Sequence, residues 1–111
     1  MILEREKFKW FRPRKGQFQL FYKWGAEQPE YQPDFVAEGT DKILMLETKR
    51  ANQMEDAEVL AKRDTGVKWC LLATEYARTT GGKPWEYALI PHDAAKDNMT
   101  IDGLLGRYRC I

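Results

Sequence analysis

Tyr31-Gln-Pro-Asp34 and, one short connection later, Ile43-Leu-Met-Leu-Glu47-Thr-Lys49 form the stretch whose reading decides the fold. The second part predicts a strand, because an apolar run free of glycine and proline stands between the turn signal Gly39-Thr-Asp41 and polar sequence. Side chains alternate along a strand, so Glu47 and Lys49 share a face with Ile43 and Met45. A carboxylate and an amine on the core-facing side are costly to bury without a counter-charge, a metal or an open cleft. Asp34 supplies a second carboxylate thirteen residues before Glu47. The connection is short enough for residues 31–37 and 42–49 to pair as an antiparallel hairpin, which brings Asp34 and Glu47 together at one end. Two carboxylates and a lysine converging at a sheet edge fit a Mg²⁺ site for phosphodiester hydrolysis.

Upstream, Lys7-Phe-Lys-Trp-Phe11 reads as a short strand with Phe8 and Trp10 on one face, stopped by Pro13. A basic turn ending at Gly16 leads to Gln17-Phe-Gln-Leu-Phe-Tyr-Lys-Trp24, the clearest alternation in the chain. Phe18, Leu20, Tyr22 and Trp24 form its apolar face. Pro33 keeps Gln32 extended and suits the start of a strand. Aromatic residues interleaved with basic ones can stack on single-stranded bases, but this regular spacing favours a core role.

Downstream, Ala57, Leu60, Ala61, Val67, Cys70, Leu71, Thr74 and Ala77 recur at helical spacing, which predicts one long helix over 55–78. Composition alone also allows a strand over 67–74. Gly66 costs roughly 1 kcal/mol against alanine inside a helix and marks a place for a bend. Gly81-Gly82 supplies the stop. A strand over 85–90 lies between Pro84 and Pro91, a short helix is expected over 93–97, and Thr100 suits the cap of another running to about Arg107.

With 111 residues the chain is read as one domain, and its hydrophobic and charged fractions of 43% and 32% are those of a soluble globular protein. No apolar run approaches a membrane span and no secretory h-region opens the chain, so a cytoplasmic location and no membrane partner are expected. The net charge of +1 is nearly balanced, yet the first fifteen residues set Arg5, Lys7, Lys9, Arg12, Arg14 and Lys15 against Glu4 and Glu6. Lys9, Arg12, Arg14 and Lys15, with Lys62 and Arg63 on the long helix, are the candidate DNA-backbone contacts. The plainer role for the helical pair is solvation, with Glu58 and Lys62 paired at i, i+4. Cys70 and Cys110 lack zinc-ligand spacing and read as reduced thiols, Cys70 in the core. Gly81-Gly82-Lys83 lacks the spacing of a phosphate loop and is a turn. His92, just beyond a strand, is a candidate base, though a turn role is favoured.

The element order, with Pro33-Asp34 on one strand and Glu47-Thr48-Lys49 on the next, resembles the core of the PD-(D/E)xK nucleases. Lys9-Trp-Phe-Arg-Pro13, Gly16-Gln-Phe-Gln-Leu-Phe-Tyr22, Tyr31-Gln-Pro-Asp-Phe-Val36, Leu46-Glu-Thr-Lys49 and Lys83-Pro-Trp-Glu-Tyr-Ala-Leu-Ile-Pro-His92 extend that resemblance. Over roughly residues 9–108 they are similar to the C-terminal endonuclease domain of type III restriction enzymes, in the restriction subunit. The resemblance implies an α/β (α+β) restriction-endonuclease-like core, a central mixed sheet flanked by a long helix. It implies Mg²⁺, with Mn²⁺ as substitute, and double-stranded DNA as substrate. A helicase motor domain and a DNA-methyltransferase (modification) subunit are the implied partners. In that scheme Asp34 and Glu47 bind the metal together with the Thr48 carbonyl, and Lys49 orients or helps deprotonate the attacking water. The family core opens with a helix that often adds an acidic residue. Only residues 1–6 precede the first strand here, so that helix is missing on this reading, with Glu4 and Glu6 as substitutes or as a solvated leader. The chain is accordingly expected to be an excised piece of a larger helicase-nuclease.

Two other classes compete: a catalytically silent nucleic-acid-binding module using the basic N-terminal segment, and a docking domain with an exposed apolar patch. The plainest reading of the triad is a structural ion pair, Lys49 bridging Asp34 and Glu47.

Overall fold

The apolar run at 43–49 forms an inner strand of a four-stranded mixed sheet in a computed structural model that describes residues 3, 6–18, 20–94 and 100–111. The sheet contains β1 (Lys9–Phe11), β4 (Phe35–Glu38), β5 (Ile43–Lys49) and β6 (Trp85–Pro91), in the spatial order β1-β4-β5-β6. Neighbours are antiparallel except β5 and β6, which run parallel. Parallel neighbours need a long crossover, and α1 (Ala57–Thr80) provides it. A separate two-stranded sheet pairs β2 (Leu20–Phe21) with β3 (Glu30–Tyr31).

The expected hairpin is present as β4–β5, with Phe35 opposite Leu46 and Glu38 opposite Ile43. Its turn is closed by the Gly39 N–H, which donates to the Lys42 carbonyl at 2.8 Å. Tyr31 is not part of it; the chain leaves the sheet at the buried Pro33, and Tyr31 pairs with Leu20 instead. The strand expected over 17–24 is likewise shortened to two paired residues and an isolated Trp24–Glu27 bridge. Its partner, β3, lies between Pro29 and Pro33, which have no N–H to extend a ladder. Leu20 and Tyr22 are buried as the alternation required, whereas Trp24 is 41% exposed. Gln19, assigned to the polar face, lies outside the described residues.

The long helix is a single α-helix, so the strand alternative over 67–74 is excluded. Gly66 serves close approach: a Cβ there would run into the Tyr87 ring of β6. Gly81 ends the helix in the left-handed region at φ 75°, and the Gly82 N–H donates to the Ala77 carbonyl at 3.0 Å. The second helix, α2 (Ile101–Tyr108), is capped as expected, with Thr100 Oγ1 accepting from the Gly103 N–H at 3.0 Å. Of the helix expected over 93–97, residues 92–94 form a 3-10 turn and 95–97 lie outside the described residues.

The sheet is covered on both faces, and strand parity decides which residue meets which cover. Met45, Tyr87 and Leu89 pack with Leu20, Tyr22, Tyr31 and Cys70 on the α1 side. Leu44, Leu46, Ala88 and Ile90 pack with Leu3, Ile101, Leu104 and Leu105 on the α2 side. Burying side chains such as Leu44, Met45 and Leu46 contributes about 1.5–3 kcal/mol each, enough to carry one unfavourable neighbour in the same strand. That neighbour is Glu47, on the α1 side at only 3% exposure. Among the described residues no helix is long and apolar enough to cross a membrane.

Candidate active site

Asp34 lies in a bend directly before β4, and the β4–β5 register sets it beside the last residues of β5. Its Oδ2 accepts from the Thr48 N–H at 2.9 Å and from the Thr48 hydroxyl at 2.8 Å. The N–H and C=O of one strand residue point to the same side, so the Thr48 carbonyl also faces Asp34, beyond the point where β4 begins. The hydroxyl has one proton, which goes to the carboxylate; Thr48 Oγ1 therefore accepts from His92 Nε2, 3.1 Å away. His92 reaches this place because β6 runs parallel to β5, so both strands end at the same sheet edge.

Glu47 is sunk beside Asp34. Its Oε1 is buried without a hydrogen-bond partner among the described residues. Nearby, the Tyr31 and Tyr87 hydroxyls bond each other at 2.8 Å. Burial, and then the Asp34 carboxylate through hydrogen bonding and charge, push the Glu47 carboxyl up to about 8; Lys49 and Tyr31 oppose this more weakly. Burial also acts to raise Asp34, but hydrogen bonding to Glu47 and Thr48 and the charge of Lys49 outweigh it and hold its carboxyl below the usual range. The two groups thus share one proton at neutral pH, held on Glu47, because two adjacent carboxylates resist double ionisation.

Lys49 is half-buried and biases both carboxyls electrostatically, yet it makes no ion pair with either within 4.0 Å. The structural ion pair weighed against the metal site is therefore not formed. Lys49 instead lines an open cleft of about 420 Å³ with Arg12, Asp34, Phe35, Thr48, Arg50, Gln53 and His92. Three cations and a histidine around Asp34, with Glu47 buried beside it, suit an anionic ligand that approaches through a cation.

Of the basic residues singled out for DNA contact, Arg12 lines this cleft, its guanidinium 4.8 Å from the centre of the Phe35 ring. Lys9, Arg14 and Lys15 are exposed but lie outside the cleft lining. Lys62 lies 5.5 Å over the Tyr22 ring and Arg63 pairs with Asp64 at 3.0 Å, both also outside the lining. The expected Glu58–Lys62 pair is replaced, since Glu58 accepts the Tyr22 hydroxyl at 2.7 Å. Glu6 does not join the site: it accepts from the Ile101 N–H at 2.8 Å at the start of α2. That helix end lies near Lys42, before β5, whereas the carboxyl pair lies where β5 finishes. Glu4 lies outside the described residues, as do most of residues 1–6, on which the expected absence of a leading core helix rests.

Sequence reasoning missed Arg50, Gln53 and the contact between His92 and Thr48. The signal for Arg50 was its place directly after the strand, in line with Lys49. Gln53 depends on the 3-10 turn Ala51–Gln53, which nothing in the sequence announced.

The residues fit a divalent cation in one respect: Glu47 lies beside Asp34 and keeps one buried carboxyl oxygen without a hydrogen-bond partner among the described residues. Among the described residues no group of three or more His, Cys, Asp or Glu forms a metal-ligand cluster, so the Thr48 carbonyl and water would have to supply the remaining oxygen ligands. Comparisons with protein-family models, with curated proteins and with solved structures gave no match to this chain.

Proposed function

We propose that the chain is a Mg²⁺-dependent endonuclease domain with a restriction-endonuclease-like core, cutting double-stranded DNA. The observation that carries this reading is the buried Glu47, one carboxyl oxygen unpartnered among the described residues, held beside an Asp34 that lines a cationic cleft. A carboxyl oxygen buried without a partner is a standing cost, and such groups occur where a function uses them.

Asp34, Glu47 and the Thr48 carbonyl would hold the metal, with Mn²⁺ as a substitute. The metal would lower the pKa of a bound water and offset charge building on the phosphate oxygens. The chain's own residues do the rest. Asp34 is kept ionised and oriented by the two Thr48 hydrogen bonds. Glu47 would release its proton to solvent on holding the cation. Lys49, from the cleft wall, orients the attacking water and stabilises the anion that forms. Arg12 and Arg50 hold the neighbouring phosphates. The same reading makes a helicase motor and a modification subunit the wider partners, and DNA site choice then rests with them.

A plasmid-nicking assay with Mg²⁺ tests the proposal. Wild type should nick, while Asp34→Asn, Glu47→Gln and Lys49→Ala should each lose at least about 10²-fold, the scale on which removing one transition-state stabiliser is felt. Nicking retained in Glu47→Gln would contradict it. Salt-sensitive DNA binding that is indifferent to chelator, without cleavage, would favour the silent binding module.

A further inference from the structure

The far side of α1 carries apolar side chains that none of the described residues covers. Leu72 and Tyr76 are each 71% exposed and Leu71 is 51% exposed. Beside them a groove of about 520 Å³ is lined by Ile43, Trp69, Leu72, Ala73, Tyr76 and Trp85. The stripe is distant in the fold from the carboxyl cleft, which lies beyond the other end of the helix and shares none of its lining. Contiguous exposed apolar surface of this kind marks an interaction site.

We infer that this face of α1 pairs with the same face of a second copy, the two helices antiparallel about a two-fold axis near Leu71 and Leu72. The charges around the stripe select that occupant. Lys68 and Glu75 are both exposed and lie seven residues apart, two turns of helix, on the outward side. They are placed symmetrically about the Leu71–Leu72 midpoint. A two-fold axis there sets Lys68 of each copy against Glu75 of the other, and Leu71 against Leu72. The surface is therefore complementary to itself, as an isologous interface requires. Antiparallel packing also opposes the helix dipoles. Glu75 already pairs with Arg78 at 2.8 Å, but both groups are exposed and such a pair is weak enough to be exchanged. Aromatic Trp69 and Tyr76, flanking the axis, provide the anchors that interface cores favour.

The inference does not depend on the nuclease reading. Its test is sedimentation equilibrium across a concentration series of the chain as it stands. Wild type should approach twice the 13.0 kDa protomer mass. Leu72→Lys, at an exposed position that leaves the fold intact, should be monomeric. Lys68→Glu and Glu75→Lys should each weaken the dimer by at least about tenfold, because like charges then face each other. The double swap Lys68→Glu/Glu75→Lys should restore it. A wild-type chain that stays monomeric at every concentration overturns the inference. So does a dimer that persists in Leu72→Lys, or one that the double swap fails to restore.

Discussion

Burial and the adjacent Asp34 raise the Glu47 carboxyl to about 8, against an ordinary value of 4.5. Between those two values the folded chain holds a proton that the unfolded chain has released. The stability this group contributes is therefore complete below about 4.5 and is lost as pH rises through about 8. Asp34, whose carboxyl is held low, works in the opposite sense and only in more acid solution. Thermal denaturation in the presence of chelator should show the melting temperature falling across the window from 4.5 to about 8, and Glu47→Gln should flatten that fall. The neutral amide should also leave the protein at least as stable as wild type at the alkaline end, while removing metal binding. A loss of stability in Glu47→Gln throughout the window would contradict this account of the site. Thr48→Val removes the hydroxyl that links Asp34 to His92 but leaves the backbone N–H bond, and should cost about 1–2 kcal/mol in urea denaturation. Asp34, Glu47 and Lys49 were legible in the sequence, because strand parity and a short hairpin fix which charges meet. The His92 contact was not, because it depends on the parallel β5–β6 register, and a long crossover hides that register from local pattern.

Among the elements, α1 and β5 were legible since each has a single strong signal, helical spacing in one and an unbroken apolar run in the other. β2 was not. Its alternation holds at Leu20 and Tyr22, which are buried, but a strand needs a partner of matching length, and the prolines around β3 deny it one. Gly66 was read as a weak point in the helix, whereas it is the place where α1 crosses the Tyr87 ring. Gly66→Ala should therefore destabilise the protein, measured by urea denaturation. Overpacking against the ring costs about 1–3 kcal/mol, more than the roughly 1 kcal/mol that alanine gains in helix propensity. A stabilised Gly66→Ala protein would show that the ring moves aside freely.

Across the whole molecule, the sheet has two covered faces, and the carboxyl pair sits where β5 leaves the α1-side cluster and opens to solvent. The core thereby fixes Glu47, Thr48 and Lys49 on β5 and Asp34 in the bend that opens β4, while Arg12 and Arg50 come from segments beside the strands. The α1 surface lies apart from that cleft, so Leu72→Lys should leave plasmid nicking unchanged even as it alters the mass in solution. The most direct test of the site is calorimetric titration of Mg²⁺ into wild type and Glu47→Gln at a pH near 8. Saturable binding in wild type, accompanied by proton release and absent in the variant, is the predicted result. Equal binding in both proteins, or none in either, would contradict the assignment of Asp34 and Glu47 as a metal-holding pair.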